Sequence, residues 1–278
     1  MRCLFLLSGI FLSLFTGSVF AEKTTHCKIS EPIIFGILPF VSAQQLVNRF
    51  SPLANYLSLH LKTELRIETA PNFAEFTRRT TEDKRYDILF TAPHFYSQAN
   101  QAGYKLMVSV NSPGMRAVIV APRQSTIKSI SDLPGKRLAM PQIESLASLL
   151  VRKHLNNNDI NPDKDLEIIF TPTHDASLLS SYHGITDASA LMQPPYSAAS
   201  QQVRDSMQII AKTEQAPHIP ISAGHRISEA CIAEITSLLL SMSSTSEGKK
   251  VLKHNHFSGF RQPHSSEYEK INTLMQQR

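Results

Sequence analysis

Ile33-Ile-Phe-Gly-Ile-Leu38, closed by Pro39, is the stretch that decides the fold. Its apolar run lacks polar alternation, which suits a strand buried on both faces, as in a parallel sheet covered by helices. After it, Leu46, Phe50, Leu53, Leu57 and Leu61 recur every three or four positions and predict a helix over 43–61, with Pro52 marking a break or a second start. Leu65–Ile67 reads as a strand, 73–81 as a helix, 86–90 as a strand and 95–102 as a helix. Strand and helix alternate, so the chain is α/β, with mostly parallel sheets flanked by helices.

The alternation continues downstream. Strands over 106–110 and 115–120 flank the turn Asn111-Ser-Pro-Gly114. Ile130-Ser-Asp-Leu-Pro-Gly-Lys136 reads as a short helix capped by Ser131 or Asp132, with Gly135 as its left-handed exit. A strand over 137–140, a helix over 145–154, a strand over 166–170, a helix over 176–182 and strands over 188–192 and 207–211 follow. Pro217–Ser222 looks like a return segment, and 229–242, 247–254 and 266–276 are helical by pattern.

The first residues carry an address. Arg2, an almost unbroken apolar run from Leu4 to Phe15, and the small-residue exit Val19-Phe20-Ala21 form a secretory signal, with cleavage expected after Ala21. The run is shorter than the roughly 20 residues a bilayer crossing needs. The expected compartment is the periplasm. Cys3 leaves with the signal, so Cys27 and Cys231 remain, either as one bridge or as two separate buried thiols.

The formal net charge is +5, and loss of Arg2 lowers it to +4. This mild basic bias favours an anionic small molecule. The charges are scattered, and no basic stripe with interleaved aromatics appears, which argues against nucleic acid.

Open parallel sheets bind ligands at the carboxyl ends of their strands. Pro39-Phe40, Pro71–Phe73, Pro93–Tyr96, Pro141–Ser145, His174 and Met192-Gln-Pro194 hold that kind of position. Ser145 opens a helix, where free N–H groups favour an acceptor, although a plain N-cap is the simpler reading. Ser145, His174 and Asp187 also form a possible catalytic trio, but Ser145 lacks the Gly-x-Ser-x-Gly elbow, so no catalysis is expected. His254-Asn-His256 lacks further ligands at a metal-binding spacing, so neither metal nor cofactor is expected.

Phe35-Gly-Ile37, Ala70-Pro-Asn-Phe73, Tyr86-Asp-Ile88 with Pro93, Ser112-Pro-Gly114, Ser131–Lys136, Ser145, His174-Asp175 and Asp187 occur in an order that carries a resemblance. Over almost all the chain after the signal, it resembles the phosphate/phosphite/phosphonate ABC-transporter periplasmic substrate-binding proteins. The resemblance implies a two-lobed type II binding protein with a two-strand hinge: 28–117 and 218–278 in one lobe, 118–217 in the other. It implies a non-catalytic monomer that closes over a small phosphonate- or phosphate-like ligand and serves an inner-membrane ABC permease. A sensing module of the same fold, reporting to a membrane signalling protein, is the alternative.

Carried over by position, the ligand contacts fall on Phe73, Met115 with Arg116 beside it, Ser145, His174 and Asp187. The family's Ser-Thr-Ser-Gly cradle becomes Ile143-Glu144-Ser145-Leu146. Phe73 and Met115 stand where hydroxyl-bearing residues are usual, and Glu144 brings a carboxylate to an anion cradle. These departures imply an altered ligand, less phosphate-like or bearing an amine that Glu144 and Asp187 accept.

Overall fold

The computed structural model describes Cys27, residues 31–269 and Ile271; the signal sequence and the end of the last predicted helix lie outside the described residues. Eleven strands and nine α-helices are bounded among these, and residues 266–269 and Ile271 are helical as well. In chain order they are β1 (Ile33–Ile37), α1 (Ala43–Leu61), β2 (Leu65–Glu68), α2 (Phe73–Thr81), β3 (Ile88–Phe90), α3 (Tyr96–Gln101), β4 (Lys105–Val110), β5 (Ala117–Pro122), β6 (Arg137–Pro141) and α4 (Leu146–Asn156). They continue with β7 (Glu167–Thr171), α5 (His174–Tyr182), β8 (Ala188–Met192), α6 (Gln193–Ala198), α7 (Gln201–Ser206), β9 (Met207–Lys212), β10 (Pro220–Ala223), α8 (Glu229–Ser241), α9 (Ser246–Asn255) and β11 (Phe260–Arg261).

The strands form two sheets, one ordered β11-β4-β10-β3-β1-β2 and the other β7-β6-β8-β5-β9. Both are mixed. β2-β1-β3 and β7-β6-β8 are parallel, whereas β10 and β5 run against their neighbours. The reason lies in the crossings: a strand that has just arrived from the other sheet enters at the end where its neighbours finish.

Each sheet carries its own core. Ile33, Phe35 and Ile37 pack with Leu46, Phe50, Leu53 and Leu57 of α1, all fully buried or nearly so. Ile34 and Leu89 meet Phe76 and Tyr86 in a separate cluster. β1 is thus covered on both faces, as its unbroken apolar run requires. In the second sheet Leu138 and Met140 pack with Leu150, Val151 and Leu155 of α4. Each such side chain contributes about 1.5–3 kcal/mol by burial.

Pro52 does not break α1, which runs continuously through it. Proline leaves the carbonyl four residues earlier without its N–H donor. That carbonyl belongs to Asn48, and the His254 ring reaches it through Nε2 at 2.9 Å, so α9 supplies the missing donor. The short turn before β6 is capped by Ser129 rather than Ser131 or Asp132. Asp132 accepts from the N–H groups of Lys128 and Ser129 at 2.9 and 3.0 Å, and Gly135 supplies the left-handed exit at φ 76°.

The chain passes between the sheets at Gly114–Arg116 and again at Glu214–Pro217. The two passages bond to each other, Met115 N–H to Ala216 O at 2.8 Å and the reverse at 2.7 Å. A Cβ on Gly114 would lie 2.6 Å from Ala216 O, so the passages approach this closely only with glycine there. After the second passage the C-terminal segment touches both sides. Tyr268 donates to His218 O at 3.0 Å, and Ile271 packs into the core of the second sheet.

Two links fasten the first sheet far from these passages. Cys27 and Cys231 form a disulfide spanning 204 residues, which docks Cys27 on the first turn of α8. Buried Asp87 accepts from Ile34 N–H at 2.8 Å and from Arg226 Nε at 2.6 Å.

Candidate ligand-binding cleft

β1–β3 and β6–β8 end toward the same gap. The loops that follow them carry Phe40, Phe73, His94 and Phe95 on one side and Glu144, Ser145, His174 and Gln193 on the other. A direct bond between described residues spans this gap: His94 Nε2 donates to Glu144 O at 2.9 Å.

The wall on the first sheet is aromatic. The His94 and Phe95 rings lie 4.1 Å apart, and Phe95 meets Phe73 edge-on at 6.2 Å. Asn72 caps α2 by accepting from Glu75 N–H at 2.8 Å, which sets Phe73 at the first helical position. Phe73 is half-buried against the cluster of Leu38, Ala70 and Phe76. Its ring brings a π-face and no hydroxyl.

Ser145 is the N-cap of α4. Its hydroxyl accepts from Ser148 N–H at 3.2 Å and donates to Ser148 Oγ at 3.1 Å, and Ser148 Oγ donates to Pro141 O at 2.8 Å. Ser145 is 3% exposed. Its single donor is spent within its own helix, which is the plain-cap reading. Glu144, immediately before it, is half-buried, and its carboxylate has no hydrogen bond or ion pair among the described residues.

His174 is the first residue of α5, whose cap Thr173 accepts from Ala176 N–H at 3.1 Å. Its Nδ1 is buried without a hydrogen-bond partner among the described residues. Burial lowers its pKa to about 4, so the ring is neutral at neutral pH and offers one donor and one acceptor. Met115 packs its side chain on the core of the second sheet. Arg116 is half-buried, its carbonyl accepts from Gln193 N–H at 2.9 Å, and its guanidinium has no partner among the described residues.

Asp187 stands elsewhere. It precedes β8 and accepts from Arg137 N–H at 2.8 Å, Nε at 3.2 Å and Nη2 at 3.0 Å, at the start of β6. These bonds hold its carboxyl below the usual carboxylate range. A five-residue strand, about 16 Å long, separates it from the loops holding Ser145 and His174. The trio is therefore pulled apart, and Asp187 cannot share an amine with Glu144. The segments 93–96 and 192–194 stand at the ends of β3 and β8, as the sequence pattern predicts, but no local signal singled out His94, Phe95 or Gln193. Among the described residues no group of acidic, histidine and cysteine side chains fits a metal ion, and no helix is long and apolar enough to cross a membrane.

A cavity of about 690 Å³ lies along α8 and β4, lined by Met107, Ile232, Thr236 and Leu240. It is away from the strand ends and holds none of the polar groups described above.

Two helix-flanked sheets, a double crossing and a gap at the strand ends define the two-lobed periplasmic binding-protein fold. Similar structures include PhnD1 from Prochlorococcus marinus in complex with methylphosphonate, with a TM-score of 0.80 at 17% identity over 89% of this chain and 98% of that one. A binding protein component of an ABC phosphonate transporter from Pseudomonas aeruginosa gives 0.77 at 18% identity, over 88% and 85%. The periplasmic aliphatic sulphonate binding protein SsuA from Escherichia coli gives 0.63 at 15% identity, over 89% and 87%. Residues 35–268 match the family described as ABC transporter, phosphonate, periplasmic substrate-binding protein, and the chain belongs to that family.

Proposed function

We propose that this protein is the solute-binding component of an ABC-type uptake system. It holds a small ligand between the lobes 28–117 plus 218–278 and 118–217, without chemical turnover, and delivers it as a monomer to an inner-membrane permease. It reaches the periplasm after cleavage behind Ala21.

The observation that carries the reading is the gap itself: in a chain of a solute-binding family, the strand ends of both sheets converge where His94 meets Glu144. Phe73, Met115, Arg116, Glu144 and His174 are the proposed contacts, with Ser145 shaping the rim as a cap. The absence of turnover is supported by the commitment of the Ser145 hydroxyl to its helix and by the distance of Asp187 from His174. A ligand-dependent rise in melting temperature across a panel of phosphonates, sulfonates and organic cations tests the assignment. No shift with any of them, together with no small molecule in a native mass spectrum of protein taken from its own periplasm, would sink it.

A further inference from the structure

Besides the two chain passages, the C-terminal segment joins the lobes. It starts in the first sheet, where β11 pairs with the end of β4. Beyond β11 it is closed into a turn, because one oxygen of Glu267 accepts from Arg261 Nη1 at 2.9 Å and from His264 N–H at 2.9 Å. The turn delivers Tyr268 and Ile271.

These two side chains seat in different bodies. Tyr268 is 1% exposed; its ring lies 4.9 Å from that of Tyr96 on α3, and its hydroxyl donates to His218 O, next to the second passage, at 3.0 Å. Ile271 is 3% exposed and packs into the core of the second sheet, in the cluster that holds Leu138, Leu150 and Ala216. Tyr96 stands two residues after His94, so the short segment whose imidazole reaches Glu144 O is also the one that Tyr268 holds from behind. Three residues of one helix cannot follow both lobes when they rotate apart. Packing is short-ranged: a gap of about 0.5–1 Å already forfeits a quarter to a half of the attraction.

We infer that the segment carrying Arg261, Tyr268 and Ile271 is a strap across the hinge, which favours the lobe arrangement in which His94 meets Glu144 and must lose one of its seats for the cleft to open. Tyr268 and Ile271 are positioning residues that act on the cleft through the hinge. The inference rests on the reading of the two lobes as the walls of a ligand site, but it concerns the protein without ligand.

The test places spin labels at Gln44→Cys and Asp175→Cys, exposed residues in the first turns of α1 and α5 on opposite lobes, and measures their separation in the ligand-free protein by double electron–electron resonance. Ile271→Ser removes the seat in the second lobe, and the ratio of the longer-distance to the shorter-distance population is expected to rise about tenfold or more. Tyr268→Phe keeps the ring and removes one hydrogen bond, for a rise of about two- to tenfold. Leu252→Ala cuts the core of the first lobe alone and should lower the melting temperature without changing the distances. If Ile271→Ser does not keep its fold, Tyr268→Phe decides alone. Unchanged distances in either variant that keeps its fold, or an equal change in Leu252→Ala, overturn the inference. No ligand enters the measurement, so that result leaves the transport assignment standing, and failure of the ligand panel leaves the strap standing.

Discussion

His94 and Glu144 are 50 residues apart in sequence and belong to different sheets, yet the imidazole of one donates to the main-chain carbonyl of the other at 2.9 Å. Glu144 O lies one residue before the cap of α4, so the bond ties the aromatic loop after β3 to the start of that helix. His94 is 2% exposed, and its ring is held against Phe95. The contact links the two walls of the cleft through a side chain on one wall and only the backbone on the other.

His94→Phe keeps a ring beside Phe95 and removes the donor. A hydrogen bond of this kind contributes about 0.5–1.5 kcal/mol, so the balance between closed and open forms should move toward open by about two- to tenfold. A larger radius of gyration in small-angle scattering of the ligand-free variant is the expected result. Identical scattering from both proteins would show that the bond does not govern closure.

Asp187→Asn separates a support role from a ligand role. Its carboxylate binds the main chain and guanidinium of Arg137 at the far end of β6, and the pair is partly exposed. Loss of about 1 kcal/mol of stability is expected in urea unfolding, with ligand affinity unchanged. A tenfold loss of affinity without a change in stability would return Asp187 to the site.

Two histidines make stability pH-dependent above the carboxylate range. Burial lowers His174 to about 4, and burial together with Arg261 lowers His218 to about 4, against an ordinary 6.5. Between those values the unfolded chain binds protons that the folded chain refuses. Stability therefore falls as pH drops from 6.5 to 4 and is level above 6.5 with respect to these groups. Glu267, held at about 2 by Arg261, contributes stability above its ordinary 4.5 that is lost as pH falls toward 2. Calorimetric melting in the double variant His174→Gln, His218→Gln should flatten the upper window only.

Reduction of Cys27–Cys231 releases a loop of 204 residues. Simple loop entropy assigns such a bridge about 5 kcal/mol as an upper value, and each kcal/mol moves the melting temperature of a protein this size by about 2–4 °C. A drop of several degrees in Cys27→Ser, with ligand affinity retained, is expected. An unchanged melting temperature would mean that Cys27 is held by its other contacts, such as its N–H bond to Glu234 at 3.0 Å.

Much of the architecture was legible in the sequence because its signals are local. The buried run 33–38, the three- and four-residue spacing in 43–61 and the turn residues at Gly114 and Gly135 each report on a few neighbouring positions. The short helices α6 and α7 were not legible: six residues each give too little periodicity, and Gln193-Pro-Pro-Tyr196 reads as loop. The direction of β5 and β10 was also hidden, since periodicity is the same for a strand running either way.

From sequence alone this chain is an α/β protein with the family resemblance of a solute-binding component, an altered cradle at Glu144 and a hydroxyl lost at Phe73. Tertiary structure alone decided what each candidate does. It placed Asp187 at the wrong end of β8, joined Cys27 to Cys231, supplied Asn48 O with His254 and set His94 against Glu144. The physical reason is common to all four: the chemical state of a side chain depends on what strand direction, register and chain crossing bring beside it, and spacing along the chain carries none of these.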